Sequence, residues 1–190
     1  MAKFRAPNWF KSLFRPSPKR SVFFLLLVGG ALGLAGLLGF NYSRHATSTD
    51  EFCVSCHEQR DNSLVMLQQT AHYSNASGKA ASCSDCHIPK EFIPKMVRKV
   101  QAAREVWAHF TGVIDTPEKY AAHAPHMKAR EIARIRANDS QECRYCHDSE
   151  AMLLDLQTAE ARQFHQTMAA SGQTCIDCHA GLAHDPAHMP

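Results

Sequence analysis

No acidic residue occurs in the first twenty positions of this 190-residue chain, no charged residue in the next twenty, and no cysteine outside one repeated pattern. The eight cysteines fall into four copies of Cys-x-x-Cys-His: Cys53-Cys56-His57, Cys83-Cys86-His87, Cys143-Cys146-His147 and Cys175-Cys178-His179. With none to spare, a disulfide framework, which scatters cysteines at unequal spacings, is excluded. Alternating strands are also lacking, and with them the βαβ setting of a thioredoxin-like Cys-x-x-Cys. There is no P-loop, no Rossmann glycine pattern and no Ser-His-Asp-like or metal-hydrolase constellation. The basic segments are not interleaved with aromatics, so no nucleic-acid partner is expected.

The motifs themselves discriminate further. Structural zinc can use Cys-x-x-Cys pairs, but it gives no reason for a histidine at the next position four times over. Covalent attachment of c-type haem does, because both thiols add to the vinyl groups and the adjacent histidine reaches the iron. Four covalently bound haems are expected, with His57, His87, His147 and His179 as proximal ligands.

Residues 1–20 hold Lys3, Arg5, Lys11, Arg15, Lys19 and Arg20. Ser21 to Phe40 follow without a charge, about the length that crosses a bilayer as a helix. The apolar run exceeds a signal-peptide core of ~7–15 residues and no small-x-small cleavage site follows, so an uncleaved anchor is expected. The positive-inside rule keeps the basic end, 1–20, in the cytoplasm, with 21–40 spanning the inner membrane once. Residues 41–190 then form a periplasmic domain, the side on which c-type haem is attached. There, 15 Lys and Arg face 18 Asp and Glu, so the formal charge of +3 on the whole chain resides in the anchor.

The soluble part repeats. "ASGKAASCSDCH" (Ala76–His87) resembles "ASGQTCIDCH" (Ala170–His179), each preceded by a histidine, His72 and His165, and further back by another motif. Two di-haem modules are expected, about 50–90 and 140–185. Helical periodicity runs through 94–110, 128–137 and 151–170, and Gly78 and Gly172 stand where helices would end. The fold class is mostly α with irregular chain: one N-terminal transmembrane helix plus a multihaem domain whose core is largely haem. Among the remaining histidines, the repeat marks His72 and His165 as distal ligands. His184 is too near His179 to reach the other face of the same haem and fits a neighbouring one. His123 is a further candidate with His126 as its rival, and His45, His109 and His188 read as solvated residues.

Taken with the anchor and the four motifs, the stretches "TDEFCVSCHE", "HYSNASG", "PKMVRK", "GVIDTPEKY", "NDSQECRYCH" and "GQTCIDCHAGLAH" resemble the NapC/NirT/NrfH family of membrane-anchored tetrahaem cytochromes c, nearest its NapC and NirT branch. The resemblance covers nearly the whole chain. It implies a quinol dehydrogenase that takes electrons from the membrane quinol pool, menaquinol or ubiquinol, and passes them to a periplasmic reductase, typically nitrate reductase. Two positions depart from the pattern. Relatives often read CxxCHxM at the first motif, where this chain has Gln59, leaving His57 as proximal ligand and Met66 as a substitute for the sixth. A histidine three residues after the second motif is here Lys90. The chain stops soon after the fourth motif, which argues against the pentahaem relatives that serve trimethylamine-oxide reductase.

On a helix over Pro94–Phe110, Met96, Val100, Ala103, Trp107 and Phe110 form one stripe, with Lys95, Arg98, Lys99, Glu105 and His109 towards the other side. Such a helix can lie on the bilayer, its basic residues at the head groups. The family places a lysine and a carboxylate for quinol after the second haem. Lys99 and Glu105 are the local matches, with Lys95 as an alternate. Two other functions stay open at this point: a terminal nitrite-type reductase with an open iron, and a passive electron-transfer subunit without a quinol site.

Overall fold

A computed structural model describes residues 19–184. The basic stretch before Lys19, and His188, lie outside the described residues. The chain divides into two units, Met1–His45 and Ala46–Pro190.

Among its described residues the first unit holds one helix, α1 (Val22–Ala46), of 25 residues, whose last residue belongs to the second unit. Its start is capped by Ser21, whose hydroxyl accepts from Phe24 N at 3.2 Å. At 1.5 Å per residue it is about 37 Å long, more than a hydrocarbon core of about 30 Å. It is apolar all round and buries no side chain, as a helix meant for lipid does. Arg44 and His45 close its last turn, where cations complement the helix dipole.

The second unit is helical, and no strand occurs among its described residues. In chain order come α2 (Asp50–Cys53), a π-helix (Gln59–Leu64), α3 (Val65–Gln68), α4 (Cys83–His87), α5 (Phe92–Phe110), α6 (Pro117–Ala137), α7 (Gln141–Arg144), a 3-10 turn (Leu154–Leu156), α8 (Ala159–Ser171) and α9 (Cys175–Cys178). Two lengths differ from the periodicity. The helix expected at 128–137 begins at Pro117, because Thr116 caps it by accepting from Lys119 N at 3.3 Å and proline suits the first helical position. Pro125 is carried inside it. The helix expected from 151 begins at Ala159, where Thr158 accepts from Ala161 N at 3.2 Å. Gly172 ends α8 at φ +69°. Gly78 has the same φ but closes a turn on Asn75, with its N–H on Asn75 O at 3.1 Å, and no helix runs into it.

The turn between α5 and α6 is set by Gly112. Val113 N donates to Ala108 O at 2.9 Å and Gly112 N to His109 O at 3.0 Å, the two bonds of a Schellman cap. Gly112 has φ +70°, and a Cβ there would meet Asp115 Oδ2 at 3.1 Å. This cap fixes the backbone of His109, the residue before the last of α5.

The polypeptide has little core of its own. Among the described residues the buried apolar side chains are Leu67, Ile114 and Ile135, and Glu58, Ser140, Glu142 and Thr174 are buried beside them. That is far short of what a domain of this size needs to fold on side chains alone, and it leaves room for large prosthetic groups between the helices.

Candidate haem centres

Each Cys-x-x-Cys-His motif is held by its own local device. In the second, Ser82 and Asp85 form a capping box at the start of α4: Asp85 N donates to Ser82 Oγ at 3.2 Å and Ser82 N to Asp85 Oδ2 at 2.9 Å. In the fourth, Thr174 and Asp177 repeat it at α9. The repeated Ser/Thr-Cys-x-Asp-Cys-His pattern is this box, with the first cysteine at the first helical position.

Hydrogen bonds join the motifs in chain order. Cys83 N donates to Asp50 Oδ1 at 2.8 Å, tying the second to the first. Arg134 donates to Cys86 O at 3.3 Å and to Glu142 Oε1 at 2.6 Å, tying the second to the third. Ile176 N donates to Ser140 Oγ at 3.1 Å, tying the third to the fourth. Ser140 is fully buried in the left-handed region, φ +50°.

The histidines pair. The ring centroids of His57 and His109 are 5.8 Å apart, those of His87 and His184 6.0 Å, those of His165 and His179 6.1 Å and those of His72 and His147 6.2 Å. Every pair contains one motif histidine and one from elsewhere. Two imidazoles on opposite sides of a metal, each nitrogen about 2 Å from it and each ring centre about 1 Å further back, have centroids about 6 Å apart. The four separations therefore fit an iron held between two histidines. A cavity of about 280 Å³ opens at the fourth pair, lined among others by Phe164, His165, Cys178 and His179.

The tautomers agree with this. His109 Nδ1 is 2.7 Å from Glu58 Oε1, His87 Nδ1 is 2.8 Å from Glu131 Oε1, and His165 Nδ1 is 2.7 Å from the side-chain carbonyl of Gln157. A carboxylate or carbonyl oxygen can only accept, so in each case Nδ1 carries the proton and Nε2 keeps the lone pair for a metal. Burial, and then the charge of the facing ring, hold His72 and His184 below the ordinary histidine range. Glu131 is pushed up by burial, but hydrogen bonds from His87 and Arg134 and the charges of His87 and Arg98 outweigh this and hold it well below the carboxylate range.

Zinc is a poorer match. No disulfide joins any of the eight cysteines. Among the described residues the one convergence of three metal-ligating atoms is Cys56, Glu58 and His109, and no four-ligand cysteine cluster forms.

Two placements differ from the sequence reading. His109, read there as solvated, stands across from His57. His123 is exposed, with Nδ1 donating to Lys119 O at 3.0 Å. His109 is held opposite His57 by Glu58, whose Oε1 accepts from its Nδ1 at 2.7 Å, a contact that periodicity does not register. Gln59 is occupied elsewhere, its Oε1 accepting from Ser63 at 3.1 Å, and Met66 lies in α3 while His109 faces His57. The pairing also crosses the expected modules: His72 reaches the third motif and His184 the second.

The residues expected to meet quinol lie on α5 but not together. Lys99 Nζ donates to Thr47 Oγ1 at 2.6 Å and Thr47 O at 3.0 Å. Glu105 Oε1 accepts from Arg130 at 3.0 Å, and Lys95 is half-buried one turn before Lys99. Arg98 is turned inward, 3.5 Å from Glu131 Oε2. α5 exposes Ile93, Val97, Val100, Trp107 and Phe110, with Gln101 and Arg104 exposed among them. Two of the basic residues expected at the head groups have protein partners instead, Arg98 on Glu131 and Lys99 on Thr47.

Comparison with known proteins follows the same line. The family model described as the NapC/NirT cytochrome c family, N-terminal region, matches residues 15–189. The denitrification system component NirT of Stutzerimonas stutzeri is 45% identical over 178 residues, 94% of this chain and 87% of that protein. The cytochrome c-type protein NapC of Paracoccus pantotrophus is 47% identical over 179 residues, 93% of this chain and 76% of that protein. A putative tetraheme cytochrome-c type protein of Allochromatium vinosum is 42% identical over 164 residues, 85% and 89% of the two chains. No solved structure matches the chain significantly.

Proposed function

The chain belongs to the NapC/NirT cytochrome c family, and from that premise we propose that it is a quinol-oxidising tetrahaem electron relay of the inner membrane. One observation carries the relay: each of the four motif histidines has a second histidine ring facing it at about an iron's span. Haem bound at these places supplies reversible one-electron ferric/ferrous chemistry. The rest is done by the chain. Cys53, Cys56, Cys83, Cys86, Cys143, Cys146, Cys175 and Cys178 would hold the haems covalently. His57 with His109, His87 with His184, His147 with His72 and His179 with His165 would ligate the irons. The motifs are bonded to one another in the sequence first to fourth.

Quinol enters from the bilayer. α1 anchors the chain with its basic end in the cytoplasm and the four motifs in the periplasm. The exposed apolar stripe of α5, with Trp107 among it, lies in the lipid interface. Thr47, the residue just beyond α1, holds Lys99. Lys99 donates to one quinol oxygen, Glu105 takes a hydroxyl proton at its carboxylate, and Lys95 is the second cation on α5. The acceptor is a periplasmic reductase of an oxidised nitrogen compound, and we assign nitrate reductase. The facing ring at every motif histidine favours this relay over a reductase with an open iron.

The test is stopped-flow reduction of the full-length protein in nanodiscs by a menaquinol analogue. Rapid growth of the reduced haem bands is expected. Reduction by dithionite but not by quinol would overturn the quinol reading. A second prediction separates the two histidines: His109→Ala turns one centre high-spin in the visible spectrum, whereas His123→Ala leaves all four unchanged. The reverse outcome would reassign the first sixth ligand.

A further inference from the structure

Glu58 is not needed to attach haem or to ligate iron, yet it is 2% exposed. It follows His57 directly. One of its oxygens accepts from His109 Nδ1 at 2.7 Å and lies 3.6 Å from His57 Nε2. The other, Oε2, is buried without a hydrogen-bond partner. The groups behind the other pairs are different. Glu131 behind His87 shares its charge with Arg98 and Arg134, and the group behind His165 is the neutral amide of Gln157. Glu58 has the two histidines of the first pair as its ion-pair partners.

We propose that Glu58 is a positioning residue that fixes His109 for the first iron and, as a buried charge without a Lys or Arg across from it, makes that iron the hardest of the four to reduce. The inference rests on the reading of the histidine pairs as axial ligands, not on the quinol site. The hydrogen bond holds His109 with Nε2 unprotonated and raises its basicity. The ferric centre carries one more positive charge than the ferrous one, and a desolvated carboxylate favours the state of greater positive charge. The couple concerned is Fe(III) plus one electron giving Fe(II), with no bond made and no proton moved. The first centre then receives an electron least readily and gives it up most readily, so passage to the later centres runs downhill.

The experiment is a redox titration of the full-length detergent-solubilised holoprotein followed by low-temperature EPR. The low-spin signal lost in His109→Met identifies the first iron. In Glu58→Gln, which keeps an oxygen for His109 and removes the charge, the ferrous-to-ferric ratio of that signal at fixed potential is expected to rise about tenfold, or about 59 mV for a one-electron couple. The other three signals should move less than about twofold. Conversion of the first iron alone to high spin would also support the proposal, because His109 would have lost its orienting partner. Should Glu58→Gln not retain four haems, Glu58→Asp, which draws the charge back by one methylene, is expected to raise the same ratio about threefold. An unchanged ratio, or an equal shift in all four, overturns the proposal. A wild-type protein that titrates as expected but is not reduced by quinol would sink the quinol reading and leave this one standing.

Discussion

Replacing Lys99 by alanine is expected to slow quinol-driven reduction about 100-fold, the lower end of what a positioned acid-base group contributes, while dithionite still reduces every centre. The ammonium is held by both oxygens of Thr47, so it is fixed before quinol arrives and its donor geometry costs little to recover. If it meets the quinol oxygen whose bond order changes on oxidation, as proposed, the loss falls on the limiting rate more than on the quinol concentration for half-saturation. Thr47→Val, which removes the hydroxyl that holds Lys99 and keeps the shape, should cost about tenfold through misplacement alone. Equal rates in Lys99→Ala and the parent protein would remove α5 from the quinol site.

The second large effect is on stability. Arg134→Met is expected to lower the unfolding free energy of the holoprotein by about 3–5 kcal/mol, the cost of removing one partner of a buried charge network. The guanidinium donates to Glu142 Oε1 at 2.6 Å, to Glu131 Oε1 at 2.8 Å and 3.0 Å, and to Cys86 O at 3.3 Å. Glu142 is 4% exposed, and with Arg134 gone its remaining support is Asn138 Nδ2 at 2.9 Å. Glu142 would then be left buried without its cation, while Glu131 keeps Arg98 at 3.5 Å. Arg134→Lys should recover little, since a single ammonium cannot reach all three acceptors in a planar fork. Denaturant midpoints of the three proteins check this; a loss below about 1 kcal/mol in Arg134→Met would mean that water replaces the guanidinium.

Much of this was legible in the residues. Four Cys-x-x-Cys-His motifs, a charge-free run from Ser21 and a 3.6-residue period need no tertiary information. The capping boxes of Ser82 and Thr174 can also be read directly, as Ser/Thr with Asp three residues on. The facing of His109 and His57 was not legible, because they are 52 positions apart and no local pattern at either residue marks the meeting. The orientation of α5 was missed for a related reason. Its hydrophobic pattern defines two sides, but which side turns inward is decided by Glu131, which takes up Arg98 from another helix. Glu58 carries no sequence signal beyond its place after His57, since a single glutamate is ordinarily exposed.

The central claim is that two histidines hold every iron. Low-temperature EPR of the oxidised full-length protein, with and without cyanide, tests it most directly. The account predicts low-spin signals integrating to four irons per chain and no change on adding cyanide. A high-spin signal amounting to one iron, converted to low spin by cyanide, would contradict it and put a small-molecule-reducing centre in its place.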